Sequence, residues 1–505
     1  MKIQTFLEHH GIASNPFAEE DARTDPVFKD HCIDSAYHPA WDKVYGDPRN
    51  PATAIVFGEK GAGKTALRLQ IVRHLREHDR AHPDAKLYTI EYDDFNPFLD
   101  RFRDKLGARR RKTTDRVLAE WKLWDHMDAI LTLGVTRLVD RILANEEPER
   151  AAKIENDGAA RKPSALPFDR FQARDLLLLS ACYDQSTAET ARSRWQRLAK
   201  RLKFRTWRSY WDLALGWIVT FATLALFITL GVNDTWEWFA QPWPYLLIAA
   251  GWTPRVWKIV RWWREARAIA ANVRISNLQT KPLRQILQQF QTAEISGQPL
   301  PDKERTDDRY ELLIKFQGLL KALGYAGIIV LVDRVDEPHQ INGNADQMRA
   351  LLWPMLDNKF LQHPGLGFKL LLPIELVRFI EREDKTFYER SRLDKQNMIP
   401  SLVWTGEALY DVANARLKAC AAPGKTIGLR DLLSESIGER QLLDALRSLR
   451  VPRHLFKFLY RMLVAHCGAY TDETPSWRVS PEMFESQLAL YRRDQENFDR
   501  GLGAV

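Results

Sequence analysis

Apolar positions along the chain fall into two patterns that alternate. Short runs rich in β-branched and aromatic residues stand at 53–57 (TAIVF), 86–92 (KLYTIEY), 328–332 (IIVLV), 368–374 (FKLLLPI) and 399–405 (IPSLVWT). Unbroken runs of this length are what strands covered on both faces require. Around them, apolar residues recur at helical spacing. ALRLQIVRHLREH follows residue 65, AEWKLWDHMDAILTLGVTRLVDRIL lies within 115–147, and RFQARDLLLLSACYDQSTAETARSRWQRLAKRL within 168–203. Each carries a stripe of period 3.6. From 406 to 470, ALYDVANARLKAC, DLLSESIGERQLLDALRSL and VPRHLFKFLYRMLVAHC continue the helical pattern. The alternation predicts an α/β fold with a parallel, three-layer sheet, followed by a C-terminal helical lid.

One stretch breaks the pattern. Leu213–Val232 is 20 residues without a charge, and Trp238–Pro254 is 17 more, interrupted by Pro242, Pro244 and Pro254. At about 1.5 Å per residue the first run is about 30 Å long, the thickness of a bilayer core. Ten of the 17 tryptophans fall between Trp207 and Trp263, where an amphipathic ring suits a headgroup region. Basic residues flank both outer ends: Arg192, Arg194, Arg197, Lys200, Arg201, Lys203, Arg205 and Arg208 before, and Arg255, Lys258, Arg261, Arg264 and Arg267 after. The intervening turn has Asp234 and Glu237 instead. The expectation is a two-helix transmembrane hairpin in the inner (cytoplasmic) membrane, in contact with membrane lipid, with both termini on the cytoplasmic side. The alternative is a buried hairpin or an oligomer interface.

Composition adds little. With 74 Lys+Arg against 66 Asp+Glu the net charge is +8, too mild to announce a nucleic-acid partner by itself. Four separated cysteines without CxxC spacing exclude a zinc ribbon or thioredoxin motif and fit a reducing compartment. The first residues contain no apolar run long enough for a signal peptide. The run Arg109-Arg110-Arg111-Lys112 reads either as a solvated helix end or as a contact for nucleic acid or acidic headgroups. No HExxH, Ser-His-Asp or nuclease pattern is present.

The chemistry lies in TAIVFGEKGAGKT, residues 53–65. A strand runs into Gly58, Glu59, Lys60, Gly61, Ala62, Gly63, Lys64 and Thr65, and a helix begins by Ala66. The glycines let successive N–H groups turn toward a phosphate, and the helix N-terminus favours the anion. Lys64 is expected to reach the β- and γ-phosphates, and the Thr65 hydroxyl to hold Mg²⁺. The partner strand is GIIVLVDRVDE, 327–337. Asp333 ends its apolar run and is the expected metal-side carboxylate; Asp336 and Glu337 read either as the acid that orients the attacking water or as helix N-terminal acids that complement the dipole. Lys64 and Asp333 stand 269 residues apart, so a large insertion separates the halves of the nucleotide domain, and the hairpin lies inside it.

GEKGAGKT at 58–65, the 213–254 hairpin and VLVDRVDE at 330–337 together resemble the KAP-type P-loop NTPases of the STAND/AAA+-like division; Arg334 stands where members of that family often carry a second Asp. The opening NPFAEEDARTDPVF, 15–28, is similar to the start of ExeA-type AAA ATPases. The resemblance implies ATP with Mg²⁺ as cofactors, a homo-oligomer, a partner protein from the same system, and a setting in anti-phage defence. It also implies an arginine that reaches the γ-phosphate from a Pro-Arg helix start in the lid, which here is Arg453 after Pro452. Arg390 and Arg392 are weaker candidates for an arginine finger in trans.

The chain is therefore divided into a leader (1–50), the first half of the nucleotide domain (51–105), a helical insertion (106–200), the hairpin with its flanks (201–268), a return helix and loop (269–310), the second half (311–405) and the lid (406–505). The expected function is a membrane-anchored ATPase coupling ATP binding and hydrolysis to the hairpin. The alternatives are a nucleotide-gated, oligomerising switch with little turnover and a soluble AAA+-like DNA-processing ATPase.

Overall fold

The structure, a computed structural model, describes residues 1–107, 113–144, 167–186, 189–206, 210–231 and 242–499. The basic run 109–112, the linker at 147–167 except its last residue, and the hairpin turn with Asp234 and Glu237 lie outside the described residues.

Five strands form one sheet: β1 (Ala54–Gly58), β2 (Lys86–Tyr92), β3 (Tyr325–Val332), β4 (Leu366–Pro373) and β5 (Asn397–Ile399). Their order is β2-β3-β4-β1-β5 and every pair is parallel. Alternate residues feed two separate apolar clusters: Ile328, Val330 and Val332 of β3 point into one, Ile329 and Leu331 into the other. Burial on both faces is why β1 and the second half of β3 are continuously apolar. The run at 399–405 is shorter as a strand than its composition suggests. Pairing with β1 stops at Ile399, where Pro400 has no N–H to donate.

Eleven longer helices matter here. In chain order they are α1 (Lys64–Ala81), α2 (Leu123–Ala144), α3 (Arg170–Tyr183), α4 (Ala191–Arg201), α5 (Trp211–Gly231), α6 (Trp243–Asn272), α7 (Asp307–Ala322), α8 (Gly406–Ala419), α9 (Glu439–Leu449), α10 (Pro452–Ala469) and α11 (Pro481–Asp499).

These helices correct the expected fold class. The protein is mostly helical, 61%, with one small all-parallel five-stranded sheet. The insertion and the C-terminal part are built of helices, so the sheet is a minor component rather than the frame of an α/β protein. The transmembrane hairpin is corrected as well: among the described residues no helix is long and apolar enough to cross a membrane. In α6 the uncharged stretch ends at Arg255, a dozen residues after Trp243, roughly 18 Å of helix. In α5 the charged Asp212 stands in the first turn. Thr220, Thr223 and Thr229 interrupt the apolar positions and spend their hydroxyls on carbonyls of the preceding turn.

The two helices nevertheless pair closely. A Cβ on Gly216 would lie 3.0 Å from the Trp252 ring, and one on Gly251 2.8 Å from Val219, so small residues set the approach. Trp252 Nε1 donates to Thr220 Oγ1 at 3.1 Å. Asp212, almost fully buried, pairs with Arg255 at 3.0 Å and Lys258 at 3.4 Å. The outer faces are unprotected: Ile218, Phe221 and Ile228 on α5 and Leu246, Leu247 and Trp257 on α6 are exposed.

Below the hairpin, α2 interrupts its apolar stripe with three buried titratable residues. Asp125 pairs with Arg274 at 2.5 Å. Asp128 pairs with Arg309 of α7 at 3.2 Å and accepts from the Tyr183 hydroxyl at 2.7 Å. Between them His126 has Nε2 2.8 Å from the Leu351 carbonyl and Nδ1 3.2 Å from the Tyr92 hydroxyl. The neutral ring satisfies both: Nε2–H donates and Nδ1 accepts. A buried group left unpaired would cost more than these bonds contribute, so the cluster fixes how α2, α3 and α7 dock.

The leader belongs structurally to the lid. Phe6, Leu7, Ile12 and Phe17 join one apolar cluster with residues of α8, α9, α10 and α11, and Ala13 N–H donates to the Cys420 carbonyl at 2.8 Å.

The His126 site makes stability depend on pH. Burial lowers its pKa from 6.5 to about 4. Between those values the unfolded chain binds a proton that the folded chain refuses, so stability falls as pH drops through this window, by roughly 3 kcal/mol in full. Urea midpoints measured at pH 7.5 and pH 5 should differ accordingly, and His126→Gln should flatten the difference.

Candidate functional site

The phosphate loop forms because β1 ends at Gly58 and two glycines reverse the chain. Gly61 and Gly63 both have φ of +90°, a region L side chains rarely adopt. Gly63 then caps α1, which starts at Lys64. The loop is held from behind by the strand that continues past β5. Leu402 N–H donates to the Phe57 carbonyl at 2.7 Å, and Trp404 Nε1 to the Ala62 carbonyl at 2.9 Å. Lys64 Nζ donates to the carbonyls of Gly58 at 2.8 Å and Glu59 at 3.0 Å. Its burial lowers its pKa, opposed most by the carboxylates of Asp336 and Asp333.

Strand β4 separates β1 from β3, so the loop and the acidic strand end lie two strands apart. They are joined above the sheet. Thr65 Oγ1 donates to Asp333 Oδ2 at 3.1 Å, and Arg334 N–H to Asp333 Oδ1 at 2.9 Å. Asp333 is 1% exposed; burial raises its pKa and the Arg68 guanidinium opposes the rise most. Arg334 sits at φ +62°, an uncommon conformation for a non-glycine residue, and its guanidinium pairs with Glu337. That hydrogen bond holds the Glu337 carboxyl below its usual range.

A cleft of about 190 Å³ brings these groups together. Lys60, Gly61, Gly63, Lys64, Thr65 and Ala66 line it from the loop. Asp333, Asp336 and Glu337 line it from β3, and Arg453 from the start of α10. Of the residues expected from the motif, Gly58, Glu59 and Ala62 stand behind the loop instead; Glu59 faces Arg450 at 3.7 Å. Arg453 touches the loop directly, its N–H 3.4 Å from the Gly61 carbonyl. Arg390 and Arg392 are not among the lining residues; Arg390 lies over the Phe387 ring and Arg392 beside Asp394. The leader and lid add apolar lining, Phe28, Cys32 and Ala36 with Val412, Ala415 and Phe456, beside the Asp25–Arg416 pair.

Sequence reasoning missed Arg68 and the leader. Arg68, one turn after Thr65 and 4% exposed, reaches three carboxylates at the strand ends: Glu91 at 3.1 Å, Asp333 at 3.5 Å, and Asp93. The register that sets Tyr92 beside Val332 makes Asp93 and Asp333 neighbours. The available signal was a charge beside Leu67 and Ile71 on the buried face of an otherwise amphipathic helix.

Among the described residues no group of three or more His, Cys, Asp and Glu is spaced to hold a metal ion. Thr65 and Asp333 offer a hydroxyl and a carboxylate, which is the small, hard donor set that suffices where phosphates and water supply the remaining ligands.

Arg68→Gln leaves three carboxylates without their shared cation. Removing one partner of a buried pair costs about 3 kcal/mol or more; the expected result is a lower urea midpoint, with Arg68→Lys intermediate because it lacks the planar fork. No family model, no curated protein and no solved structure matches the chain.

Proposed function

We propose that the chain is a P-loop nucleoside triphosphatase, acting on ATP with Mg²⁺, in which nucleotide state is coupled to the apolar hairpin. The observation that carries this reading is the convergence in one cleft of the phosphate loop, the Thr65–Asp333 contact and Arg453. In this reading the loop N–H groups and Lys64 bind the β- and γ-phosphates, and the apolar lining between leader and lid receives the base. Thr65 and Asp333 would hold the ion, which would supply charge neutralisation for the phosphates. Water attacks the γ-phosphorus in line as the bond to the β-phosphate oxygen breaks, giving ADP and inorganic phosphate. Asp336 and Glu337 both line the cleft; we assign the water to Asp336, because Glu337 is already engaged by Arg334.

Lys64→Ala should lower ATP turnover at least about a hundredfold, the scale of losing one charge-stabilising group. Asp336→Asn should lower kcat with KM little changed, and Glu337→Gln should not. Phosphate-release assays decide, and unchanged turnover in Lys64→Ala sinks the assignment.

A second reading is favoured by one feature: Arg334 directly follows Asp333 and ties up the adjacent acid. That arrangement suits a nucleotide-gated switch with slow turnover. Nearly stoichiometric bound nucleotide with negligible phosphate release would select it.

We place contact with membrane lipid at the hairpin, lying on a bilayer surface rather than across it. The exposed residues Ile218, Phe221, Leu246 and Trp257 support this, as do Arg261, Arg264 and Arg267 along α6. The full chain should float with phosphatidylglycerol-containing vesicles, and Phe221→Glu/Leu246→Glu should not. Self-association without flotation would instead make the hairpin an oligomer interface.

A further inference from the structure

The leader delivers a carboxylate to the phosphate end of the cleft. Residues 16–25 are pinned to the lid by a buried knot at Arg416. This guanidinium donates to the Pro16 carbonyl at 2.5 Å, pairs with Asp25 at 2.5 Å and lies 4.4 Å over the Phe456 ring. Arg416 and Asp25 are both buried. Between these two anchor points Glu20 faces α10. Its Oε2 is 3.7 Å from Arg453 Nε and 3.6 Å from Lys457 Nζ. Arg453 and Lys457 are four residues apart and share a helix face.

Three features tie this cluster to the phosphate loop. A Cβ on Gly61 would lie 2.5 Å from Arg453 Cβ, so the arginine stem rests on the loop. The Arg453 N–H lies 3.4 Å from the Gly61 carbonyl, so its backbone meets the loop as well. Arg453 Nε is buried and has no hydrogen-bond partner. Glu20 therefore neutralises the guanidinium through space without satisfying its N–H.

We propose that Glu20 is an internal stand-in for the γ-phosphate and sets the discrimination between triphosphate and diphosphate. The proposal rests on the nucleotide reading of the cleft. Arg453 and Lys457 are held by Glu20 until a terminal phosphate displaces its carboxylate. The held pairs are at ion-pair rather than hydrogen-bond distance and partly exposed, hence weak. A terminal phosphate brings more charge and three acceptor oxygens, and can satisfy the orphan N–H. In this assignment the arginine meets the third phosphate and not the second. ATP must therefore displace Glu20 and ADP need not, and Glu20 narrows the affinity gap between them. Displacement also frees the leader between its anchors at Arg416, giving the nucleotide state a mechanical consequence outside the cleft.

The test is calorimetric titration of the full chain with a non-hydrolysable ATP analogue and with ADP, both with Mg²⁺. Glu20→Gln should bind the analogue about three- to fivefold tighter and ADP within about 1.5-fold of the unaltered chain, the scale of a partly exposed ion pair. In an Arg453→Gln background, Glu20→Gln should tighten the analogue clearly less, the signature of coupled groups. Equal tightening for both nucleotides, weaker analogue binding, or an undiminished effect in the Arg453→Gln background overturns the proposal. No nucleotide binding by the unaltered chain overturns the nucleotide reading, and this proposal with it.

Discussion

The contact between Thr65 and Asp333 is the constraint on which the rest of the site depends. Parallel strands lie about 4.8 Å apart, and β4 intervenes between β1 and β3. The phosphate loop and the acidic strand end are thus separated by roughly 10 Å across the sheet and by 268 residues along the chain. Side chains must bridge that gap from above. Thr65 does so with a hydroxyl and Arg68, one helical turn on, with a guanidinium. Asp333 is buried and costly to ionise unless cations stand near it, and Arg68 is the one that opposes its burial most. The same arginine gathers Glu91 and Asp93, so the carboxyl ends of β2 and β3 and the first turns of α1 form one electrostatic unit.

The lid completes the site from the other side. Arg453 rests on Gly61, Trp404 donates to Ala62, and the leader adds apolar lining with Phe456 and Val412. The leader, phosphate loop and α10 therefore meet at a single point, although they come from opposite ends of the chain. A charge change there bears on all three elements at once.

The insertion supplies the second physical theme. Its helices dock through buried charge pairs as well as through apolar stripes. Asp125–Arg274 and Asp128–Arg309 lie between α2 and the segments that follow the hairpin and precede β3. His126 adds a bond to Tyr92, at the end of the strand that carries Asp93. The base of the hairpin and the carboxyl edge of the sheet thus share one buried polar cluster.

Much of this was legible in the sequence where a pattern is local. Glycine spacing marked the phosphate loop because only glycine tolerates φ near +90°. Continuous apolar runs marked β1 and the second half of β3 closely because both faces are covered. What the sequence could not convey were quantities set by neighbours. The uncharged runs Leu213–Val232 and Trp238–Pro254 suggested a membrane crossing. The structure pairs short apolar stretches into a hairpin whose ends are defined by the Asp212 ion pairs, and no described helix meets the length and apolarity that a crossing demands. The strand pattern suggested an α/β frame, but helices of the insertion and lid outweigh a five-stranded sheet. Arg68, Glu20 and the polar residues of α2 carried no signal in the sequence, since burial and pairing are decided by segments far away along the chain. The sequence by itself determined the backbone of the phosphate loop and the strand that ends in Asp333, through local sterics and hydrophobic period. Only the tertiary structure decided which charges meet, because the energy of an ion pair depends on distance and burial, and neither is written in the order of residues.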